Sequence, residues 1–121
     1  MVILNKKYRY LLGRFGEDLA SCFLVRQGFT IIERNFRCQE GEIDIIAKRD
    51  WEWWFIEVKT RKSAACGEPE EACDAAKEEK MEEVALRYLN DKGIEIDTWQ
   101  LGLISVRVVS RKKVKINFLV L

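Results

Sequence analysis

The sequence predicts an α/β fold, a mixed β-sheet flanked by helices in the order αβββαβ(β), on three observations. Apolar residues recur at spacings of three and four over residues 8–27 and again up to Leu89, the period of helices with one buried face. Between them Gly41 to Arg61 reads GEIDIIAKRDWEWWFIEVKTR, two apolar β segments joined by a short polar turn. A helix then separates the third and fourth strands, and such a crossover joins parallel neighbours.

In the first helix the buried stripe is Leu12, Gly16, Leu19, Ala20, Phe23 and Leu24, with Glu17 at its edge. Gly28 stands where a left-handed residue ends a helix, so that Phe29 packs back onto Leu24. Phe29 to Phe36 forms the first strand, Glu42 to Lys48 the second and Trp53 to Thr60 the third. A hairpin turn centred on Asp50 and Trp51 sets Asp44 opposite Glu57. Two-residue alternation puts Glu42, Asp44 and Ile46 on one face, and likewise Phe55, Glu57 and Lys59. Lys62 to Glu68 is a loop, and Pro69 opens a helix over Glu70 to Asn90 that Gly93 stops. Its stripe of Met81, Val84, Ala85, Tyr88 and Leu89 extends backwards to Lys77 and Cys73, making Lys77 the polar exception on an inward line. Leu101 to Val109 and Val114 to Val120 flank Ser110-Arg111-Lys112-Lys113 as a final hairpin.

A chain of 121 residues suits one domain, 1–121, able to bury a core without disulfide or metal staples. Its 48% hydrophobic and 34% charged residues are ordinary for a globular protein, and no apolar run reaches a membrane span. Without a secretory leader the expected location is cytoplasmic, with no membrane partner. Cys22, Cys38, Cys66 and Cys73 form no CxxC pair and have no histidine beside them, so they read as reduced, small apolar residues. The net charge of +1 argues neither for nor against nucleic acid; its distribution is more informative.

Carboxylates and an ammonium within apolar strands are costly unless something uses them. Like charges set opposite each other also weaken a sheet. A divalent cation between Asp44 and Glu57 would turn that repulsion into coordination. Mg²⁺ and Mn²⁺ take oxygen ligands, commonly one or two carboxylates with phosphate and water. Asp44, Glu57 and the Val58 carbonyl supply three, and Lys59 stands where it orients a water or stabilises transition-state charge. The chemistry that fits is hydrolysis of a phosphodiester by metal-activated water. Arg61 and Lys62 follow as phosphate-binding residues, and Lys77 reaches the same place from the second helix. Further basic clusters lie at Lys6 to Tyr10 and Arg111 to Lys115. Trp51, Trp53 and Trp54 read as packing residues of the hairpin. Glu78, Glu79, Glu82 and Glu83 read as a solvated face that DNA would avoid.

Four segments in order, GRFGEDLASCFLVRQGF, NFRCQEGEIDIIA, FIEVKTRKS and GEPEEACDAAKEEKMEEVALRYL, resemble the YraN-like family of uncharacterised bacterial proteins. That family resembles the PD-(D/E)XK nuclease superfamily and is similar in pattern to archaeal Holliday junction resolvases. The resemblance implies a restriction-endonuclease-like core and places the superfamily's site on Glu17, Asp44, Glu57 and Lys59. The chain departs from the pattern at Trp99-Gln100-Leu101-Gly102, where a basic residue, an aromatic and an aspartate are usual. It departs again at KINFLVL, which replaces a helical tail. The expected function is a Mg²⁺- or Mn²⁺-dependent endonuclease acting on DNA, branched or otherwise structured DNA included, with a homodimer compatible. The rivals are a nucleic-acid-binding module of the same fold without catalysis, and a protein-interaction scaffold whose strand charges merely pair.

Overall fold

In the computed structural model the described residues are 2–62 and 75–121, the side chains of 2–6 excepted. The elements are α1 (Val2–Arg26), β1 (Thr30–Cys38), β2 (Gly41–Arg49), β3 (Glu52–Lys62), α2 (Ala75–Lys92), β4 (Gln100–Ser110) and β5 (Lys113–Val120). This is the expected order, with the optional last strand present. The five strands lie side by side in chain order; β3 and β4 pair in parallel and every other pair is antiparallel. KINFLVL, the departure at the chain's end, supplies most of edge strand β5 and the residue after it. No helix among the described residues is long and apolar enough to cross a membrane.

Helix α1 ends as its sequence dictates. Gly28 has φ 91°, its N–H donates to Val25 O at 3.1 Å, and the Phe29 N–H reaches Leu24 O at 2.9 Å. It begins at Val2, however, rather than at residue 8. Residues 7–11 are exposed and offer no core-facing stripe for periodicity to detect, yet nothing before Gly13 interrupts a helix once it has nucleated. Helix α2 runs to Lys92, two residues past the expected end, and closes at Gly93 with φ 67°. Its expected start at Glu70, together with Pro69, Cys66 and Cys73, lies outside the described residues. Cys22 and Cys38 are free thiols.

The sheet separates two cores. Ala20 and Leu24 of α1 pack with Ile45, Ala47, Trp54, Ile56, Ile104 and Val106 on one side. Met81, Val84, Ala85, Tyr88 and Leu89 of α2 pack with Ile43, Ile46, Phe55 and Leu101 on the other. The β2–β3 hairpin has the expected register, from Arg49↔Glu52 to Ile45↔Ile56, turning at Asp50 with φ 56°. Trp54 meets Phe29 edge-on at 5.6 Å, and Trp53 lies 6.0 Å from Tyr88. Trp51 does not pack as expected: at the tip of a two-residue turn it has no sheet face beneath it and is 90% exposed.

Within β2 the expected alternation fails at one place. Ile43 and Ile46 both lie on the α2 side, whereas Ile45 and Ala47 lie on the α1 side. Two-residue periodicity is therefore broken at Asp44, and Glu42, Asp44 and Ile46 do not share a face. In the β1–β2 register Asn35 falls opposite, between Arg34↔Ile45 and Phe36↔Ile43, and it is left-handed at φ 55°. Asparagine tolerates that conformation better than most residues. At the same level the β2–β3 ladder ends, while β1–β2 continues to Cys38↔Gly41 and β3–β4 to Lys62↔Val108. Strands β2 and β3 part here, leaving a notch in the sheet.

Candidate active site

The notch holds Asp44. Its Oδ2 accepts the Val58 N–H at 2.7 Å, a side chain standing in for the ladder partner that β2 no longer offers. Within a strand, the N–H and C=O of one residue face the same neighbour. The Val58 carbonyl is therefore directed to this edge too. Glu57 is 8% exposed, with Oε1 3.3 Å from Lys59 Nζ and Oε2 3.1 Å from Lys77 Nζ. From α1 comes Glu17, whose Oε1 is buried, makes no hydrogen bond and has Arg34 Nη2 at 3.6 Å. The same guanidinium binds Asp18 Oδ1 at 2.9 Å.

Glu17, Asp44, Glu57, Val58, Lys59 and Arg61 all line one cavity of about 320 Å³, whose opposite wall is α1 at Arg9, Leu12 and Gly13. The structure thus brings together the four expected catalytic residues and the expected carbonyl. Lys77 arrives through its ion pair with Glu57 rather than as an open phosphate-binding group. Arg61 lies on the cavity wall, its Nη1 3.3 Å from Thr60 O. Lys62 is turned away, its Nζ 5.3 Å over the Tyr8 ring.

Burial in the notch is the main cause that pushes the Asp44 carboxyl up from 3.8 to about 7. The negative charges of Glu57, Glu17 and Glu42 add to it, and the Val58 N–H opposes it. Burial, more than the neighbouring acids, thus disfavours the Asp44 anion.

The donor set bears on which metal fits. Among the described residues no three acidic or cysteine side chains assemble a complete metal cage. Two carboxylates and a backbone carbonyl remain, all oxygen donors, with Glu17 lining the same cavity. That set suits Mg²⁺ or Mn²⁺, which leave coordination positions to water and phosphate, better than zinc, which favours nitrogen and sulfur.

Arg34 escaped the sequence reading, while Arg9 was read only within a basic cluster and Gly16 only as part of the buried stripe. Arg9, Gly13 and Glu17 stand four residues apart on one face of α1, a spacing that would have marked Arg9. Gly16 carries no side chain where α1 crosses Thr60 of β3, and so seats the helix close to the notch. Arg34 fixes Glu17 from β1, and no local pattern signals a contact between such distant elements. Arg34→Gln should leave two neighbouring acids without their counter-charge. We expect stability to fall by about 1–2 kcal/mol in urea unfolding, with any cleavage weakened about tenfold.

Residues 16–116 match the model of the uncharacterised protein family UPF0102. A UPF0102 protein of Clostridium perfringens is 39% identical over 115 residues, covering 94% of each chain. One of Geobacter sulfurreducens is 39% identical over 100 residues, 83% of this chain and 78% of its own. One of Caldicellulosiruptor bescii is 51% identical over 78 residues, 64% of this chain and 66% of its own.

Proposed function

For a chain that belongs to the uncharacterised protein family UPF0102, we propose the activity of a metal-dependent endonuclease that hydrolyses phosphodiester bonds in DNA. The supporting observation is the set of Asp44, Glu57 and Lys59 gathered where two strands part, with Asp44 raised to about 7. A carboxylate so disfavoured as an anion gains most from a cation. Mg²⁺ or Mn²⁺ held by Asp44, Glu57 and the Val58 carbonyl would supply Lewis-acid polarisation of the phosphate and a bound water of lowered pKa.

The chain's own residues do the rest. Lys59 presents its ammonium at the cavity wall, where it stabilises charge that builds on a phosphoryl oxygen. Glu17, on the α1 wall of the cavity, holds a water between α1 and the notch. Arg61 holds a neighbouring phosphate, and Lys77 balances the charge of Glu57 until a metal competes for it.

The test is incubation of the purified protein with linear, nicked and branched DNA, and with RNA, in Mg²⁺ or Mn²⁺ and in chelator. Cleavage that requires metal, and that falls about 10²-fold or more in Lys59→Met, is the expected result. No cleavage of any substrate with either metal would overturn the reading. One observation favours a second reading, binding without catalysis: both Glu57 oxygens already have lysine partners. DNA binding unaltered by Glu57→Ala, with no cleavage, would support it.

A further inference from the structure

The cavity at the notch continues past α1. A second cavity of about 380 Å³ adjoins it, sharing Arg9, Gly13 and Glu17 and adding Arg14 and Arg37, with Tyr10 and Asn35 beside them. Its charge is unbalanced. Three guanidiniums line it against one carboxylate, Glu17, whose Oε1 is buried toward Arg34. Arg9 and Arg14 enter no ion pair among the described residues. Arg37 pairs through Nε with Glu42 at 3.0 Å, but its side chain is 77% exposed, which leaves its terminal nitrogens to the cavity and solvent.

Gly13 forms the saddle between the two cavities. A Cβ there would meet nothing within 4 Å, so the backbone of α1 borders open space at the point of passage. Beyond the notch the positive charge resumes. Arg61 stands in register with Arg107 of β4, and Arg107 with Lys115 of β5. Directly paired residues share a sheet face, so these three form a row that leads away from the site. Cations thus flank the acids on both sides, with α1 crossed at its one open glycine.

We propose that the arginine cavity is a phosphate-binding subsite that holds a nucleic-acid strand beside the bond presented to Asp44 and Glu57, the strand passing over α1 at Gly13. The place of that bond rests on the nuclease reading; the binding itself does not. Guanidinium forks match phosphate oxygens two at a time, and three of them in a cavity that adjoins the notch suit the successive phosphates of a phosphodiester backbone. Tyr10, 63% exposed at the rim, adds a face on which a base stacks.

Equilibrium binding of fluorescent single-stranded and branched oligonucleotides, measured in chelator across a salt series, tests this without any need for cleavage. Arg14→Gln and Arg37→Gln should each weaken binding about three- to tenfold and lower the salt slope by roughly one phosphate contact. Gly13→Gln should weaken it comparably while the melting temperature holds or rises, because the new side chain fills the saddle and favours the helix. Wild-type affinity and slope in all three variants would overturn the subsite, even if the protein cleaves DNA. Weakened binding in a protein that cleaves nothing would uphold the subsite and defeat the nuclease reading alone. Inorganic phosphate that binds as tightly as an oligonucleotide would show a free-anion site and overturn the strand assignment.

Discussion

Asp44→Asn is expected to abolish metal-dependent cleavage, by about 10³-fold or more, and at the same time to make the metal-free protein more stable at pH 8. Both effects have one cause. The carboxyl is buried in the notch among other acids and is displaced from 3.8 to about 7. Between those values the folded protein binds a proton that the unfolded chain has released. The group's favourable contribution is therefore complete below about pH 4 and is lost as pH rises through 7.

Asparagine has no charge to bury and can still accept the Val58 N–H. The variant should match wild type near pH 4 and exceed it above pH 7 by roughly 1–3 kcal/mol, several degrees in melting temperature. Manganese should reverse the order, because it stabilises only a protein that binds it. Calorimetry should show Mn²⁺ binding to wild type that weakens below pH 7, where proton and metal compete, and none to the variant. Equal Mn²⁺ binding by the two proteins would sink the metal assignment. A variant less stable than wild type at pH 8 would sink the electrostatic account.

What the sequence disclosed about this region, and what it hid, follows from the range of the forces involved. The hairpin register was legible because the polar turn at Asp50 and Trp51 pins it, and a one-residue slip would turn every apolar side chain to the wrong face. The end of α1 was legible because Gly28 and Phe29 close it locally. The break at Asp44 was not. It depends on β2 following β1 while β3 follows β4, a competition among four strands that no local alternation records. Extending the register one step predicted Asp44 facing Glu57; the carboxylate instead takes the Val58 N–H at the parting of the strands. Lys77 was legible as an anomaly on an apolar stripe, though not as the partner of Glu57. Arg34 was invisible, and Arg9 legible only as one of a basic cluster, for the same reason as the break: their meaning lies in which elements the sheet brings beside them.

The two glycines of α1 on either side of this question should respond oppositely to the same small change. A Cβ on Gly13 meets open space, so Gly13→Ala should add up to about 1 kcal/mol through helix propensity alone. A Cβ on Gly16 would collide with the Thr60 hydroxyl and lie within 2.9 Å of the Thr60 Cβ, on a strand fixed by its ladder to β4. Gly16→Ala gains the same propensity but forces α1 away from β3, an overpacking cost of about 1–3 kcal/mol, and Gly16→Leu should cost more. Adjacent Glu17 moves with the helix, so any cleavage should fall further in Gly16→Ala than in Gly13→Ala. Thr60→Gly should rescue part of the lost stability in the Gly16→Ala background while destabilising wild type, a coupling that a double-mutant cycle reads directly. If Gly16→Ala unfolds in urea at the same midpoint as Gly13→Ala, α1 does not rest on Thr60, and Glu17 loses the contact that brings it to the notch.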